Sequence, residues 1–595
     1  MKLSMIKKGM LGIVLLGLAL FPFVTTNDYY IHMGQMIGIT VIVTQGLNLL
    51  SGYAGQISLG HAGFYAVGAY AAAIVTTNFE MPFFIGVLAS IICSGVVGLL
   101  LGLPALRVKG HYLAMVTIGA GIIIEKLLHE GGEFTGGFAG ISGVPGVELF
   151  GHALSAMEMY YLVTFIAGLV TVFLWNLTRT RPGRAFLALR DSETAAEAMG
   201  VSRFRYKLIA FVISAMITGI GGNLYAHSNN YVSPDSFTPH LSVFLLVMII
   251  LGGMGTVIGP IIGTILLYIL PEVLKEFDEY RLIIYGLILL GFIIGLPGGI
   301  ASLLPKALKP KENLLNEENL VNQPIGNYEP SQQLKMKSNQ KDILQVVELT
   351  KRFSGVVANN RVNMSVKAGT IHALIGPNGS GKTTCLHSIS GLYQIDEGDV
   401  LFEGKSIKNL KMHEKIGVGI ARTFQHAQTF KELTVIENVM VGEHRLRKTG
   451  FISGSLLLPQ AVEEERESQR EALKLLEWFG MKDLAFAKAG DLPYGYQKIL
   501  EIVRAMAAQP KLLILDEPAA GLTNTEIEQL ENILLKLCQA GLTILLVEHD
   551  MRLIMKVSDS ITVLENGNVI AEGTPKDIQN NLHVIKAYLG EQKVG

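Results

Sequence analysis

Apolar residues form long runs in the first half of the chain and short runs in the second half. Several of the long runs approach the roughly 20 residues that an α-helix needs to cross a bilayer. These runs occupy residues 10–24, 30–50, 60–77, 82–104, 111–127, 159–178, 207–227, 242–272 and 282–304. From about residue 343 the apolar runs have the length of strands. The pattern predicts an α-helical polytopic membrane domain followed by a soluble α/β domain.

The charges between the long runs predict which side of the membrane each segment occupies. Lys and Arg are concentrated at Arg107 and Lys109, in residues 179–207 and just after residue 305. Neither residue type occurs in three other loops, at residues 77–81, 128–158 and 228–240. Because basic loops stay in the cytoplasm, we expect the first set inside and the second outside.

Two glycine-rich segments interrupt the apolar runs, "SGYAGQISLGHAG" at 51–63 and "LGGMGTVIGP" at 251–260. If residues 242–272 crossed only once, the soluble half of the chain would finish outside. We therefore expect two half-helices that enter and leave on the same side. Such breaks are tolerated where the backbone is buried in protein or lines a cavity, and the pair would be corresponding elements of an internal repeat. Close helix packing through small residues explains the glycines equally well.

The domain boundaries follow from the same pattern. We predict a membrane domain at 1–306, a polar linker at 307–342 and a soluble domain at 343–595. The strands of the soluble domain are short continuous apolar runs, such as "IHALIG" and "KLLILDE". Runs of this kind indicate a parallel sheet that is buried on both faces.

Composition narrows the class of protein. The chain of 595 residues is 50% hydrophobic and 17% charged, against roughly 25% charged in an ordinary soluble protein, so we expect contact with membrane lipid. The net charge of -1 offers no basic field that would attract nucleic acid. The three cysteines, Cys93, Cys385 and Cys538, are far apart and support neither a disulfide framework nor a zinc site.

A phosphate-binding loop follows the first buried strand of the soluble domain. "GPNGSGKTT" fits the pattern GxxxxGK[ST] and precedes a helix-compatible run, which is the context that a P-loop requires. Backbone N–H groups wrap the phosphates of ATP, Lys382 neutralises their charge, and Thr383 ligates Mg²⁺. The predicted nucleotide-binding residues are Gly376, Pro377, Asn378, Gly379, Ser380, Gly381, Lys382, Thr383 and Thr384.

Four further residues are candidates for hydrolysis. Asp516 ends a buried strand and is suited to hold Mg²⁺, while Glu517 beside it is suited to deprotonate the attacking water. His549 ends the next strand and is placed to contact the γ-phosphate, and Gln425 in "ARTFQ" is placed to sense water or metal. Each of these residues alone is explained as well by a structural role.

Together these segments resemble the ATPase family of ABC transporters over residues 343–595. The resemblance implies that Phe353 stacks on adenine, that Asp516 and Glu517 are the Walker B pair, and that Gln425 and His549 are the Q-loop and switch residues.

"LPYGYQ" (492–497) stands where that family carries its Leu-Ser-Gly-Gly-Gln signature, which reaches ATP on a second subunit. The resemblance assigns this contact to Tyr494, Gly495 and Gln497. Pro493 replaces the usual serine, and Thr523 stands where many ABC proteins have an aspartate. One neutral hydrogen bond is worth about 0.5–1.5 kcal/mol, so we expect an altered site and not an inactive one.

The resemblance extends to one importer family. "ARTFQHAQTFKELTVIENVMVG", "LPYGYQ" and "DEPAAGL" look like the ATP-binding subunit of branched-chain amino acid importers. "RVKGHYLAMVTIG", "GISGVPG" and "LGGMGTVIGPIIG" look like the permease subunit of the same importers. These subunits are usually separate chains, which implies a natural fusion.

The cytoplasmic segment "ETAAEAMG" (193–200) resembles the permease loop that forms a short coupling helix in a groove of the ATPase near the Q-loop. We expect the small alanine side chains to let this helix lie close to the groove of the ATPase. The charged residues expected to pair across the contact are Arg184, Arg190, Asp191 and Glu197.

The family implies ATP-driven import of Leu, Ile or Val by a multi-pass protein of the inner or plasma membrane with a cytoplasmic ATPase domain. It also implies an external substrate-binding protein and a second permease and second ATP-binding subunit, or a second copy of this chain. Import of urea or short amides, export, and a membrane ATPase without transport are the alternatives. Five polar residues either line the path or join helices by hydrogen bonds, namely Gln45, Asn48, Gln56, His61 and Thr117.

Overall fold

The computed structural model describes residues 16–25, 27–106, 111–277, 280–303 and 342–589. The chain forms two compact units, and each unit takes residues from several stretches of sequence. The first comprises Met1–Phe186, Phe204–Leu314 and Gly454–Leu457, and the second comprises Leu187–Arg203, Leu315–Ser453 and Leu458–Gly595. Residues 307–341 of the predicted linker lie outside the described residues, and the predicted domain boundaries stay predictions.

The first unit is built from apolar helices. After a helical stretch at 16–24, its main helices are Asp28–Leu47, His61–Ala73, Phe83–Ala105, His111–Glu130, Ala156–Thr178, Arg203–Asn229, Pro239–Gly252, Gly259–Val273 and Arg281–Gly295. Two π-helical turns, Asn48–Tyr53 and Ile74–Asn78, extend the first and second of them. The helix Arg181–Asp191 begins in this unit and ends in the second, to which Glu193–Ala198 belongs. Short 3₁₀ turns lie at Gly132–Phe134, Gly137–Ala139, Pro234–Phe237, Leu274–Phe277 and Ile300–Leu303.

Six helical segments among the described residues are long and apolar enough to cross a membrane. They are Asp28–Tyr53, Phe83–Ala105, Tyr112–Glu130, Ala156–Thr178, Arg203–Asn229 and Pro234–Gly252. Four short strands lie between helices: β1 (Ile141–Ser142) pairs antiparallel with β4 (Tyr231–Val232), and β2 (Glu148–Leu149) pairs with β3 (His152–Ala153).

The apolar run 242–272 folds as two helices, as the glycines predicted. Pro239–Gly252 and Gly259–Val273 pack closely, since a Cβ at Gly252 would lie 1.8 Å from the carbonyl oxygen of Gly259. A Cβ at Gly263 would likewise lie 1.9 Å from the carbonyl oxygen of Met248. Because residue numbers fall along one helix as they rise along the other, the helices are antiparallel. The hairpin therefore begins and ends on the same side.

The two glycine-rich breaks meet. A Cβ at Gly52 would lie 2.5 Å from the backbone nitrogen of Gly255. Asn48 joins them, because its side chain accepts from the Gly255 N–H at 2.8 Å and donates to the Thr256 carbonyl at 2.9 Å. Asn48 thus satisfies backbone groups that the broken helix leaves without partners.

The other four polar residues suggested for a transport path are also buried and hydrogen-bonded. Gln45 donates to the Val257 carbonyl at 2.8 Å, and Gln56 donates to the Lys207 carbonyl at 3.3 Å. His61 Nε2 lies 2.7 Å from Ser214 Oγ, and Thr117 accepts from a backbone N–H. These contacts fit the alternative in which such residues join helices.

The second unit contains two sheets. From Asp342 onward the strands are β5 (Asp342–Phe353), β6 (Val356–Lys367), β7 (Ile371–Ile375), β8 (Glu397–Phe402), β9 (Lys405–Ser406), β10 (Ile420–Arg422), β11 (Leu512–Asp516), β12 (Thr543–Val547), β13 (Ser560–Glu565) and β14 (Asn568–Gly573). The core sheet has the order β10-β11-β12-β7-β13-β14, parallel except for β14, and the second sheet is antiparallel with the order β6-β5-β8-β9. The predicted parallel sheet is confirmed.

The strands of this unit alternate with helices, and one of these helices, Phe451–Ser455, ends with residues that belong to the first unit. From residue 382 the α-helices are Lys382–Ser390, Met412–Lys415, Val435–Gly442, Phe451–Ser455, Pro459–Trp478, Tyr494–Ala507, Asn524–Gln539, Met551–Val557, Pro575–Gln579 and Leu582–Leu589. Short 3₁₀ turns lie at Ile416–Val418, Glu443–Arg445, Lys482–Leu484 and Ala489–Asp491. All five residues of each of the strands β7, β11 and β12 are buried. Because these strands are parallel, the loops that follow them meet at one edge of the sheet.

Candidate nucleotide site

The phosphate-binding loop connects β7 to the helix Lys382–Ser390. Gly376 has φ +151° and Gly381 has φ +98°. A Cβ at Gly376 would lie 2.0 Å from the Leu564 carbonyl oxygen, and one at Gly381 would lie 2.3 Å from that of Ala358. These two positions therefore require glycine on grounds of both conformation and space.

Lys382 is buried at the start of the helix that follows the loop. Its Nζ donates to the carbonyls of Gly376 and Pro377 at 2.8 and 2.9 Å. Burial lowers the pKa of this ammonium, while the nearby carboxylates of Glu517 and Asp516 oppose that shift. The structure thus concentrates a positive charge against the loop, where the phosphate group of a nucleotide would neutralise it.

Three of the four predicted hydrolytic residues meet around one carboxylate. Gln425 Nε2 donates to Glu517 Oε2 at 2.8 Å, and His549 Nε2 lies 2.8 Å from Glu517 Oε1. The loops after three parallel strands supply these side chains, which explains why residues 92 and 32 positions apart come together. A carboxylate held in this way is positioned to accept a proton.

The fourth, Asp516, lies at the buried end of β11. Its Oδ2 pairs with Arg422 at 3.0 Å and lies 4.0 Å from His387 Nε2. Oδ1 is buried and has no hydrogen-bond partner among the described residues. Burial raises the pKa of the carboxyl group, and Arg422 opposes this shift. A buried carboxylate oxygen without a partner fits a hydrated divalent cation.

The loop and the hydrolytic side chains line a cleft of about 540 Å³ in the second unit. Its lining comprises Val356, Val357, Ala358, Asn378, Gly379, Ser380, Gly381, Lys382, Thr383, Thr384, Gln425, Glu517, His549, Asn566 and Gly567. Sequence reasoning missed Val356–Ala358, Asn566 and Gly567, which belong to strand β6 and to the β13–β14 turn. No motif marks them, because only the pairing of distant strands brings them to the P-loop.

Phe353 is not among the residues that line this cleft. It is 40% exposed at the end of β5, where its ring centroid lies 5.2 Å from that of Tyr393 and Lys351 Nζ lies 5.2 Å above it. An exposed aromatic face of this kind is available for stacking, and its contact with adenine stays a prediction.

The signature residues Tyr494, Gly495 and Gln497 lie at the start of the helix Tyr494–Ala507 and are not among those that line the cleft. Pro493 is the N-cap, a position at which the usual serine would accept a hydrogen bond from the backbone. Gly495 packs against Glu526, since a Cβ at this position would lie 2.0 Å from Glu526 Oε1 and would displace that side chain.

Thr523, the residue at the usual aspartate position, has a local structural role. It caps the helix Asn524–Gln539 through a capping box with Glu526, whose Oε2 accepts from the Thr523 N–H and hydroxyl at 2.8 Å. Threonine is among the favoured residues at such a position, so Thr523 stabilises the start of this helix.

Lys498 links the signature helix to the hydrolytic residues, and sequence reasoning missed it. This buried side chain donates to the carbonyls of Phe424 at 3.4 Å, Glu517 at 3.5 Å, and Gln425. Its position one residue after "LPYGYQ" carries no motif, so only the fold reveals the contacts. Lys498 therefore connects the signature helix to the backbone of Gln425 and Glu517.

The helix Glu193–Ala198 belongs to the second unit, with the rest of Leu187–Arg203. Ser192 caps this helix and its hydroxyl donates to Gln428 Oε1 at 2.6 Å, three residues after Gln425. Ala195 and Ala196 are fully buried, and a Cβ at Gly200 would lie 2.9 Å from Ile416. The expected close approach near the Q-loop is present.

The charged residues of this segment make a mixture of contacts. Asp191 accepts from the Glu432 N–H at 3.2 Å, as a contact with the ATPase groove requires. Glu197, which we expected to pair across the groove, instead lies 4.0 Å from Arg203, and Arg190 lies 3.7 Å from the adjacent Asp191. Both pairs lie within the segment Leu187–Arg203, and Arg190 belongs to the preceding helix Arg181–Asp191.

Family models match both halves of the chain. Residues 31–293 match the branched-chain amino acid transport system permease component, and residues 359–520 match the ABC transporter model. Residues 568–594 match the branched-chain amino acid ATP-binding cassette transporter model.

Relatives match each half over most of their own length. The high-affinity branched-chain amino acid transport ATP-binding protein BraF of Pseudomonas aeruginosa is 43% identical over 42% of this chain and 98% of its own length. The high-affinity branched-chain amino acid transport system permease protein LivM of Salmonella typhimurium is 34% identical over 52% of this chain and 78% of its own length. A solved structure of a nucleotide-free ATP-binding cassette from an ABC transporter is 35% identical over 42% of this chain and 100% of its own, with a TM-score of 0.38.

The predicted resemblance to both subunits is confirmed. The first half is that of a multi-pass membrane protein, and the second half is an ABC-type ATPase that binds and hydrolyses ATP. Such proteins work in a complex with other transporter subunits. The chain therefore belongs to the branched-chain amino acid family of ABC transport proteins, as a fusion of its permease and ATP-binding components.

Proposed function

We propose that this chain imports branched-chain amino acids across the inner or plasma membrane at the expense of ATP. One observation carries the proposal: a single polypeptide combines relatives of two different subunits of a branched-chain amino acid transport system. Residues 1–306 act as the permease domain, 307–342 as the linker, and 343–595 as a cytoplasmic ATP-binding domain, the side that the loop charges favour.

Hydrolysis uses the carboxylate at the centre of the cleft. Glu517 accepts the proton of the attacking water, while Gln425 and His549 hold its two oxygens in position. Lys382 and the loop backbone stabilise the phosphate charge. Thr383, Gln425 and Asp516 would hold Mg²⁺, and the unpaired Asp516 Oδ1 supports this assignment. When bound, the ion neutralises charge on the β- and γ-phosphates.

Two ATP-binding domains are needed for a complete site. Tyr494, Gly495 and Gln497 lie outside the cleft lining of their own chain, which supports their use on the ATP of a second ATP-binding subunit or a second copy. A second permease, an external substrate-binding protein and the surrounding membrane lipid complete the assembly.

Coupling passes through the segment Leu187–Arg203. Because Ser192 bonds Gln428 near the Q-loop, movement of Gln425 on ATP binding displaces a segment that continues directly into the helix Arg203–Asn229. ATP drives transport only if it favours one conformation of the permease over the other, and this contact supplies a physical route for that preference.

Uptake in proteoliposomes tests the proposal. Vesicles containing this chain with its binding protein, second permease and second ATP-binding subunit are supplied with radiolabelled L-leucine or urea. We expect accumulation of leucine that depends on ATP and on the binding protein. Accumulation of urea alone would assign the chain to amide import. Accumulation of neither, with ATPase activity that ignores the binding protein, would overturn an importer function.

A further inference from the structure

A second cavity lies in the first unit, far along the sequence from the nucleotide site. Its volume is about 700 Å³, and the helices Asp28–Leu47, Pro239–Gly252 and Gly259–Val273 contribute to its walls. One part of the lining carries Tyr29, Glu272 and Lys275. Nothing in the hydrolytic mechanism uses these residues.

Glu272 and Lys275 place opposite charges side by side. Lys275 Nζ lies 3.4 Å from Glu272 Oε1, and the Tyr29 hydroxyl donates to Glu272 Oε2 at 3.0 Å. A carboxylate offers about four acceptor positions and an ammonium three donors, so both groups retain capacity for a ligand. Lys275 is 65% exposed and Glu272 is 25% exposed, which leaves both accessible from the cavity.

The rest of the cavity is mainly apolar. Met33, Met36 and Phe244 are among its lining residues. Methionine side chains are flexible and adapt to apolar groups of different shape. The cavity thus combines an adjacent pair of opposite charges with an adaptable apolar wall.

We propose that this cavity binds a zwitterionic amino acid with an apolar side chain. The ligand ammonium pairs with Glu272, its carboxylate pairs with Lys275, and its side chain contacts Met33, Met36 and Phe244. Two charges separated by a single carbon suit the α-amino and α-carboxylate groups better than they suit a urea or an amide, which carry no charge. This inference rests on the proposed function and adds a cargo site in the permease half.

The position of the cavity fits the entry of cargo. Glu272 lies near the end of the helix Gly259–Val273, and the Tyr29 contact joins that end to the start of Asp28–Leu47. The loop 228–240, which contains no Lys or Arg, precedes the hairpin, and the positive-inside rule predicts that this end faces outside. A cargo released from an external binding protein would meet this cavity before the buried glycine breaks.

Binding to the full chain in lipid nanodiscs, without ATP, tests the site. L-leucine, leucinamide, which lacks the carboxylate, and 4-methylpentanoate, which lacks the ammonium, are titrated calorimetrically. We expect Glu272→Gln to weaken leucine binding by about tenfold or more and to leave 4-methylpentanoate binding nearly unchanged. Lys275→Gln should weaken leucine equally and spare leucinamide. Glu148→Gln, which removes an exposed carboxylate on β2, is the matched control and should bind leucine as the wild type does.

A merely structural role for the pair predicts a different pattern. In that case each variant would weaken all three probes together, and this outcome would overturn the proposal. Met33→Trp, which fills the cavity and keeps both charges, should abolish leucine binding while the thermal unfolding midpoint stays close to that of the wild type. Failure of the wild-type chain to bind leucine, or displacement of leucine by phosphoethanolamine at equal concentration, would also overturn it, the latter in favour of a lipid headgroup.

Uptake separates this inference from the proposed function. If the complete complex imports leucine and the Glu272→Gln and Lys275→Gln variants do so with unchanged KM, the cavity is not a cargo site although import stands. If the cavity binds leucine and the wild-type complex imports none, the proposed function fails and the binding site stands.

Discussion

Glu517 has its two carboxylate oxygens held by different partners, Gln425 on one side and His549 on the other. This arrangement leads to a prediction for Glu517→Gln. The amide keeps the size of the side chain and loses the ability to accept a proton, so ATP binding should be retained while turnover falls by about 10²- to 10⁴-fold. Nucleotide binding and phosphate release measured on the full chain with its partners check this. Glu528→Gln changes an exposed carboxylate of the helix Asn524–Gln539 and should behave as the wild type, and wild-type turnover in Glu517→Gln would remove Glu517 as the base.

Glu443 makes the stability of the second unit depend on pH. Burial raises its pKa from the ordinary 4.5 to about 7, although Arg447 lies 2.7 Å away. Between these two values the folded state holds a proton that the unfolded state has lost, so the free energy of unfolding falls as pH rises, by up to about 1.4 kcal/mol per pH unit. The stability that the protonated Glu443 contributes is fully present below pH 4.5 and is lost as pH rises through 7.

Glu443→Gln should remove this dependence. Compared at pH 5 and pH 8 by denaturant unfolding of the full chain, the wild type should lose about 2–3 kcal/mol that the variant keeps. The same loss in both proteins would assign the effect to another group. Gln cannot ionise, so the variant has no titrating group at this position.

Sequence reasoning found the residues that belong to motifs and missed those defined by tertiary contact. Lys382, Gln425, Glu517 and His549 were predictable because each belongs to a motif of the ABC ATPase family, and the fold brings them together because the carboxyl ends of parallel strands share one edge of a sheet. Lys498 was not, because its three carbonyl partners lie 19 or more positions away and a lone buried lysine has no sequence pattern.

At the scale of elements, the helical hairpin depends on glycines that allow two backbones to touch. The expected result for Gly263→Ala is a loss of about 1–3 kcal/mol, because the new Cβ would lie 1.9 Å from the Met248 carbonyl oxygen and must force the helices apart. Gly286→Ala is the matched control, since a Cβ there meets nothing within 4 Å and the change favours helix. Thermal unfolding of the full chain in detergent compares the two. Equal midpoints would show that the hairpin tolerates separation at this point.

The sequence predicted the helical hairpin, but it did not predict the contacts that stabilise it. Glycine clusters in "LGGMGTVIGP" and the count of membrane crossings together indicated a break. Nothing in the pattern indicated that Asn48 and Gln45 satisfy the exposed backbone or that Gly52 touches Gly255, because these contacts join segments about 200 residues apart. The sequence pattern of a polar residue in an apolar helix is the same whether the residue lines the transport path or forms a hydrogen bond to a neighbouring helix.

At the scale of the molecule, each compact unit contains residues from both sides of the predicted linker. We predict that cutting the chain at a protease site placed within 307–341 leaves two fragments that remain associated. The amino-terminal fragment carries Leu187–Arg203, whose Ala195, Ala196 and Met199 are buried in the second unit. Size-exclusion chromatography after cleavage measures the association.

Ala196→Glu provides the control for this cut. A carboxylate at a fully buried position costs several kcal/mol, so the cleaved variant should separate into two fragments while the uncut variant stays one chain. Separation of the wild-type fragments would show that the segment contributes little to holding the second unit.

The bond between Ser192 and Gln428 also has a consequence during synthesis. Its two residues are 236 positions apart, so at about 5–20 residues per second the ribosome needs roughly 10 to 50 s to supply the second partner. During that interval the second unit, which buries Ala195, Met199 and Val201 in the folded protein, is incomplete, so these apolar side chains are exposed. The order in which the chain emerges therefore makes this segment the expected point of chaperone capture or proteolysis, before any ATP is bound.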